Sequence, residues 1–564
     1  MIQNIVMKVP FVLILLLVSA CGASHRFEAP TSAQSHYVMG LYARQEDRFD
    51  EALRYFDKAL KEAPTEEALI QGAFSLAFLV GDNDRLVRYA SLQQATPNAQ
   101  LSNLSSMVML LDAFHDKRWQ DMPQYYDRFR GSGFEELMLP TIKAWSWAVR
   151  GNRDEALKSI GQLVAYDRSL TPVYEEQMAY LLDYLGDQDE ALQRYSGLIR
   201  DKRVRSMQPI LSMGDLLVRQ GKRGDAENLF TAYQTVMPNN LHMKQAMTEL
   251  AKKRPKFGGP SRHPSRAIAT TFLMAANELA GNPDYRAAAT IYSRFATIAD
   301  PSLEEAYVLL GNLYLMDERF GPAKVVFSIP KGDGVFANEA RIRYALTISQ
   351  QGQSNAAISQ LEKALERAPD DQKVLQALGN LYQDMQAFDQ SVVYYSAILD
   401  DKPKLGNGDW FLLFSRGIAY EQTGQWEKAE ADFLKALSIR PNDPQLLNYL
   451  GYSWIDRGMH YEKAREMLEK AVELRPEDGF IIDSLGWAEY LLGNYDAALM
   501  HLQKAVQLEP GDATLNEHLG DVLWKLGRQR EARFQWQHAI DLGGDDIDPD
   551  SLREKVLLGL KTAP

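Results

Sequence analysis

Cysteine is nearly absent from this 564-residue chain, which contains only Cys21. A single thiol has no partner for a disulfide within the chain, so the fold cannot depend on one. Positive charge is also in short supply, because 62 Lys and Arg residues face 75 Asp and Glu residues, a formal net charge of −13. Binding to phosphate backbones requires clustered Lys and Arg, so this composition argues against a nucleic-acid partner.

The sequence also lacks the signatures of common catalytic centres. It contains no GxxxxGK[ST] phosphate-binding loop, no HExxH zinc site and no GxSxG nucleophile turn. Its nine histidines are scattered, and His501, His518 and His538 lack the spacing of metal ligands, so packed or surface histidines are expected. We therefore expect no enzymatic activity, no metal site and no cofactor.

The acidic tail DDIDPDSLREK is similar to the start of a calcium loop, because Asp546, Asp548 and Asp550 stand at alternate positions. A calcium loop requires glycine at the position that Ser551 occupies here. The sequence instead predicts that Asp550 caps a last helix within residues 547–564, which would screen the end of the fold from solvent.

The first twenty residues have the parts of a secretory signal peptide. Lys8 supplies a positive charge, residues 9–18 form the apolar run VPFVLILLLV, and the small residues Ser19 and Ala20 follow. The run is too short to cross a bilayer, which takes about 20 residues. We interpret residues 1–20 as a leader.

The sequence Val18-Ser19-Ala20-Cys21 is similar to the lipobox of bacterial lipoproteins. The resemblance implies that the leader is cleaved before Cys21, that this cysteine carries the lipid anchor, and that residues 21–32 form a short tether. Gly22 follows the cysteine where Asp would imply retention in the inner membrane, so the resemblance favours the outer membrane, facing the periplasm. The alternatives are an uncleaved membrane anchor, or a secreted protein with a chance cysteine.

A repeated skeleton runs through most of the chain, as expected for a length at which a single core is unusual. In residues 485–510, small and apolar residues stand at offsets 0, +12, +16, +19 and +24: Gly486, Ala498, Leu502, Ala505 and Pro510. The same skeleton begins at Gly40, Gly417 and Gly520. Small residues allow close approach of two helices, a large residue at +16 is expected to fill the space between a unit and its neighbour, and proline ends a helix.

This period of about 34 residues resembles the tetratricopeptide repeat, a helix–turn–helix unit. The resemblance implies an all-α fold, a superhelical solenoid of such units. We expect an N-terminal array at 33–250 with about six units, two of them degenerate, and a C-terminal array at 270–546 with eight units. The stretch AKKRPKFGGPSRHPSR breaks the period, so residues 251–269 are predicted to be a basic Pro/Gly linker.

The same family resemblance indicates where a partner would bind. Groove contacts in this family come from positions 2, 5, 9 and 12 of each unit, and spacings of three and four place these on one helical face. The candidate partner-binding residues are Phe411, Phe414, Asn448, Tyr452, Asp483, Trp487, Tyr490, Glu517, Asp521 and Trp524. Aromatic residues edged by acceptors suit a protein surface that carries N–H groups or basic side chains. Alternatively, Trp487 and Tyr490 pack against the adjacent unit and leave no open groove.

The chain as a whole resembles the tetratricopeptide-repeat lipoproteins of Gram-negative bacteria. The resemblance implies a non-enzymatic, membrane-anchored scaffold that binds a periplasmic or envelope protein, such as a protease, a cell-wall enzyme or an envelope assembly factor. The alternative is a structural or polysaccharide-binding lipoprotein that uses exposed aromatic residues and the basic cluster of Lys252, Lys253 and Arg254 in the linker.

Overall fold

The computed structural model describes residues 32–96, 102–126, 128–129, 133–166, 170–201, 206–237, 240–400, 402, 404–544 and 547–560. In these ranges the chain forms thirty α-helices and no β-strand. The predicted leader 1–20, Cys21 and Asp546 lie outside the described residues. Within the ranges, no helix is both long enough and apolar enough to cross a membrane.

The chain divides into two compact units, residues 1–340 and 341–564. The helices of the first unit are α1 (Ala33–Gln45), α2 (Phe49–Glu62), α3 (Glu67–Val80), α4 (Asn83–Ala95), α5 (Asn103–His115), α6 (Met122–Tyr126), α7 (Gly133–Val149), α8 (Arg153–Tyr166), α9 (Thr171–Leu185), α10 (Gln188–Arg200), α11 (Gln208–Arg219), α12 (Arg223–Val236), α13 (Leu241–Leu250), α14 (Pro264–Ala280), α15 (Arg286–Ala299), α16 (Glu304–Met316) and α17 (Phe320–Phe327).

The boundary between the units falls inside the next helix, α18 (Val335–Gln350). The helices of the second unit are α19 (Ser354–Arg367), α20 (Gln372–Asp384), α21 (Phe388–Leu399), α22 (Trp410–Gln422), α23 (Trp426–Ile439), α24 (Pro444–Asp456), α25 (Tyr461–Leu474), α26 (Gly479–Leu491), α27 (Tyr495–Leu508), α28 (Ala513–Lys525), α29 (Gln529–Leu542) and α30 (Pro549–Leu558).

Short turns join these helices in pairs. Six pairs precede the single helix α13, and eight pairs, from α14/α15 to α28/α29, follow it before α30. Several turns contain a glycine in the left-handed region, such as Gly424 at φ 73° and Gly493 at φ 84°, where residues with a β-carbon are strained. The described part of the chain is therefore built from successive helical hairpins.

In most repeats that have the landmark glycine, this glycine lies against the large residue sixteen positions later. A β-carbon on Gly379 would lie 2.6 Å from the ring of Tyr395, and one on Gly486 would lie 2.7 Å from Leu502. Because both partners belong to one hairpin, the large residue packs first against its own unit, not only between units as the sequence suggested. Phe433 also reaches the next hairpin, with its ring centroid 5.2 Å from that of Tyr449.

Replacing Gly379 with alanine is expected to lower the free energy of unfolding by about 1–3 kcal/mol, as overpacking of a core does. The ring of Tyr395 cannot move aside freely, because its hydroxyl donates to Asn380 Oδ1 at 2.7 Å and Gln383 Oε1 at 3.0 Å. Gly161 is the matched control, since it lies inside α8 and a β-carbon at this position would meet no atom within 4 Å. Gly161→Ala should stabilise by roughly 0.5–1 kcal/mol through helix propensity. Urea unfolding measures the change in the free energy of unfolding for both variants. Equal changes would contradict the conclusion that Gly379 is required by the ring of Tyr395.

Helices from both sides of the predicted linker pack together within the first unit. Helix α14 contacts α7, α15 contacts α5, and α17 contacts α3. The last residues of the predicted linker, 264–269, begin α14, and the ring centroids of Phe257 and Phe230 lie 5.6 Å apart. The segment 251–269 therefore belongs to the packing of the first unit, and the chain divides at 340–341 instead.

A buried arginine connects α15 to the second hairpin. Arg294 is fully buried and donates from Nε to the Phe78 carbonyl at 2.8 Å. Its Nη2 donates to Asn83 Oδ1 at 2.6 Å, and its Nη1 donates to Thr297 Oγ1 at 2.6 Å. Burial lowers the pKa of Arg294 to about 10, because removing the charged guanidinium from water is unfavourable. The hydrogen bonds of Arg294 must offset this desolvation cost.

Asp548, and not Asp550 as the sequence suggested, caps the last helix. Its side chain accepts the backbone N–H of Asp550 at 3.0 Å and that of Ser551 at 3.3 Å. Pro549 explains the shift, because proline is favoured in the first helical position and so makes the preceding residue the cap.

Candidate partner-binding face

The first helix of each of the last hairpins begins at an aspartate cap. The side chains of Asp443, Asp478 and Asp512 accept backbone N–H groups of the first turns of α24, α26 and α28. Each cap fixes where its helix starts. Within the helix, spacings of three and four residues place positions 2, 5, 9 and 12 on one face. The first helices of these successive hairpins are in contact: α24 packs against α26, and α26 packs against α28.

Two phenylalanines at position 2 are open to solvent. Phe411 in α22 is 41% exposed, and Phe480 in α26 is 52% exposed. Tyr452 in α24 is half-buried, and its pKa is raised by burial and by the carboxylates of Asp456 and Asp483. We call Phe411, Tyr452 and Phe480 the open aromatic face.

Two other predicted residues, Phe414 and Asn448, are half-buried between the packed hairpins. The ring of Phe414 lies against Tyr449, with centroids 5.2 Å apart, and against Phe433 at 5.9 Å. Asn448 is half-buried, and its Oδ1 is enclosed without a hydrogen-bond partner among the described residues. Phe414 therefore supports the core, and the enclosed oxygen of Asn448 is not open to a partner.

Asp483, Trp487 and Tyr490 form a cluster with His518 of the following hairpin. His518 Nδ1 lies 2.9 and 3.0 Å from the two carboxylate oxygens of Asp483. The Trp487 ring stacks on His518 with centroids 4.0 Å apart and on Tyr490 with centroids 4.7 Å apart. Trp487 thus packs against the adjacent unit, as the alternative interpretation of the sequence proposed.

The charge of this cluster favours protonation of the histidine. Burial lowers the pKa of His518, but Asp483, with smaller contributions from Asp521 and Glu517, outweighs burial and holds this pKa above its ordinary value. An imidazolium stacked on the face of Trp487 is electrostatically favourable. Sequence spacing did not place His518 in this cluster, because its role depends on a carboxylate 35 positions away that only hairpin stacking brings near.

The chain's own last helix covers the three predicted residues of the final hairpin. Lys555 Nζ of α30 donates to Glu517 Oε1 at 2.7 Å and to the two carboxylate oxygens of Asp521 at 2.8 and 2.9 Å. Trp524 lies against Gly559, directly after α30, and under the guanidinium of Arg533. We call Glu517, Asp521 and Trp524 the terminal socket, which is filled by α30.

The basic residues of the predicted linker are only partly free. Lys252 Nζ lies 2.5 Å from Glu249 Oε2, and the same carboxylate accepts the backbone N–H of Lys256 at 2.6 Å. Lys253 and Arg254 are exposed. The described ranges contain no group of three or more His, Cys, Asp or Glu side chains arranged to hold a metal ion.

Three segments of the chain match family profiles described as tetratricopeptide repeat. The matched residues are 33–66, 339–371 and 380–542. These segments contain tetratricopeptide repeats. The predicted all-α solenoid of helix–turn–helix units is confirmed, and tetratricopeptide-repeat proteins are generally scaffolds for protein–protein interaction.

Several solved structures are similar to part or most of this chain. A tetratricopeptide repeat protein from Parabacteroides merdae is 15% identical over 45% of this chain and 98% of its own, with a TM-score of 0.37. MamA from Desulfovibrio magneticus is 22% identical over 30% of this chain and 94% of its own, with a TM-score of 0.28. Yeast Tom70 is 13% identical over 93% and 95%, with a TM-score of 0.33. No curated protein matches the chain in sequence.

Proposed function

We propose that this protein is a non-enzymatic scaffold, anchored to the outer membrane, which binds a periplasmic partner protein on the open aromatic face. The observation that carries the proposal is the exposure of Phe411 and Phe480 at the same register position of two first helices. Phenylalanines exposed at one repeated register position form a candidate binding surface, and aromatic residues dominate binding energy at interfaces.

The polar groups near this face suit a partner that donates hydrogen bonds. The carboxylates of Asp456 and Asp483 act on Tyr452 of this face, and Asp456 is exposed. Basic side chains or backbone N–H groups of the partner would complement these acceptors. The polysaccharide-binding alternative would depend on Lys253 and Arg254, which lie in the other compact unit.

The membrane anchor is proposed from the sequence around Cys21. An apolar run too short to span a bilayer ends at a sole cysteine preceded by small residues, which fits a lipid-attachment site. Several acyl chains hold a protein to a membrane far more firmly than one, since each buried methylene contributes about 0.8 kcal/mol. The predicted tether of 21–32 would keep the repeats close to the bilayer.

Replacing both Phe411 and Phe480 with serine is expected to reduce capture of the partner at least tenfold. Truncating two hot-spot aromatics removes about 2 kcal/mol or more of binding free energy. The measurement is crosslinking in intact cells that express the tagged protein, followed by mass spectrometry. Phe534→Ser is the matched control, because Phe534 is 67% exposed but lies on a second helix, α29.

A companion variant, Cys21→Ser, separates anchoring from binding in the same experiment. The scaffold should leave the membrane fraction and still capture the same partner. Capture that survives the double phenylalanine variant, or falls equally with Phe534→Ser, would refute the open aromatic face. Loss of envelope polysaccharide on Lys253→Ala with Arg254→Ala would favour the alternative function.

A further inference from the structure

We propose that the terminal socket of Glu517, Asp521 and Trp524 binds a lysine-bearing helical segment of the partner protein, which replaces the chain's own helix α30. The inference rests on the proposed scaffold function and specifies the chemistry of the partner. Its starting point is that α30 covers Glu517, Asp521 and Trp524, which are positions 5, 9 and 12 of the last hairpin and belong to the set of positions predicted to contact a partner.

The socket is shaped for an ammonium group. Three carboxylate oxygens of Glu517 and Asp521 lie 2.7 to 2.9 Å from Lys555 Nζ, which matches the three donors of a lysine. Trp536 Nε1 donates to Asp521 Oδ1 at 2.8 Å and holds that carboxylate in place. Asp521 is buried, and burial raises its pKa while Lys555 opposes the rise, so a cation in the socket favours the ionised form of this carboxylate.

Helix α30 packs on α29 but is short and buries a single residue completely. It has ten residues, Leu552 is its only buried residue, and Leu557 and Leu558 are 76% and 73% exposed. Helices of this length are marginal on their own, so its stability must come from the packing of Leu552 and Val556, the Lys555 contacts, and the hydrogen bond from Arg533 Nε of α29 to the Val556 carbonyl at 2.9 Å. Gly543 and Gly544, which follow α29, have φ values of 70° and 133°, conformations that residues with a β-carbon rarely adopt. These features place α30 among the elements that open most readily.

The way α30 sits in the socket defines the segment that could replace it. Leu552 is fully buried three residues before Lys555, and Gly559 touches the Trp524 ring four residues after it. A β-carbon at position 559 would overlap that ring. The matching partner segment therefore has the pattern Leu-x-x-Lys-x-x-x-Gly, with the helix ending at the glycine.

A partner would bind the socket together with the open aromatic face. A tethered helix competes at an effective concentration in the millimolar range, so a socket ligand must gain affinity from contacts elsewhere. Helix α28 carries the socket and contacts α26, which carries Phe480. One extended partner could engage both sites.

The test uses the full chain and a synthetic peptide of residues 547–560 as the probe. Lys555→Gln in the full chain removes the cation from α30, and this chain should bind the peptide at least tenfold more tightly than the wild-type chain. Binding is followed by tryptophan fluorescence, and hydrogen exchange at 549–558 should become faster in the variant. Lys525→Gln, at an exposed lysine ending α28, is the control chain and should behave as wild type.

A second chain variant, Gly559→Leu, displaces α30 while keeping Lys555, and it should open the socket in the same way. A peptide with Lys555→Gln should bind the opened chains at least tenfold more weakly than the wild-type peptide. Equal binding of the two peptides, no binding to either opened chain, or unchanged exchange at 549–558 would each overturn the proposal. A wild-type dimer that Lys555→Gln dissolves would also overturn it, because the occupant would then be a second copy of the chain.

These outcomes are separable from those for the proposed function. If the Phe411→Ser/Phe480→Ser variant loses its partner while the opened socket binds no peptide, the scaffold function stands and the socket inference fails. If the peptide binds as expected but the double variant still captures the partner, the open aromatic face fails.

Discussion

Replacing Arg294 with alanine is expected to destabilise the first unit by about 3–5 kcal/mol. The substitution empties a large buried volume and leaves the Phe78 carbonyl and Asn83 Oδ1 without the donors that now reach them at 2.8 and 2.6 Å. Each stranded acceptor costs roughly 1–3 kcal/mol. Burial lowers the pKa of the Arg294 guanidinium to about 10, which shows that burying this cation is unfavourable. Removing it therefore offsets part of the loss, but not all of it.

Arg294→Met separates volume from hydrogen bonding, because it refills most of the space without a donor. We expect it to cost roughly half as much as the alanine variant, since both variants remove the buried charge and strand the same acceptors but methionine leaves a much smaller cavity. Urea unfolding gives the free energies, and hydrogen exchange in α3 and α15 should accelerate together. Arg319→Ala, at an exposed arginine over the Tyr314 ring, should change stability by less than roughly 0.5 kcal/mol. Exchange confined to α15 would contradict the connection of α15 to the second hairpin.

Replacing Glu176 with glutamine is expected to stabilise the protein by roughly 3 kcal/mol at pH 8 and by less than roughly 1 kcal/mol at pH 5. Glu176 in α9 is fully buried, and burial raises its pKa to about 7. Its Oε1 accepts from the Tyr180 hydroxyl at 2.6 Å and from the Ser206 hydroxyl at 3.1 Å. The amide oxygen of glutamine can accept both bonds, so the substitution removes the charge and keeps the contacts.

The direction of the pH dependence follows from the raised pKa. The carboxyl group is neutral in both states below its unfolded pKa, and the native state becomes progressively less stable as the pH rises from that value through about 7. The free energy of unfolding, measured from pH 4 to pH 8, should fall more steeply for the wild type than for Glu176→Gln. Glu175→Gln, on the same helix but paired with Arg194 on the protein surface, should keep the wild-type slope. If the free energy of unfolding depends on pH in the same way for all three proteins, the conclusion that burial raises the pKa of Glu176 is refuted.

The hairpins and their order could be predicted from the sequence because the signals are local. Gly486 and Leu502, Gly379 and Tyr395, and their counterparts meet within one hairpin, so a fixed spacing along the chain is enough to find them. The aspartate caps at Asp443, Asp478 and Asp512 follow the same logic, since each binds its own first turn. Position counting also placed Phe411 on a first-helix surface, where it is exposed.

The partner-binding site could be predicted less completely than the hairpins. Helical register identifies which residues share a face, but not which other parts of the chain cover that face. Trp487 lies at its expected position, yet it is stacked on His518 of the next hairpin. Trp524 also lies where expected, beneath the segment that follows α30. No repeat pattern relates Lys555 to Asp521, because α30 stands outside the repeats.

Local chemistry in the sequence therefore defines the hairpin, its turn, its caps and the face that each first helix presents. Contacts between residues far apart along the chain were decided by tertiary structure alone. Arg294 meets Phe78 across 216 positions, and Tyr314 donates to the Leu79 carbonyl across 235. No spacing rule applies over such separations, because the small rotation between successive hairpins accumulates and determines which distant hairpins come together.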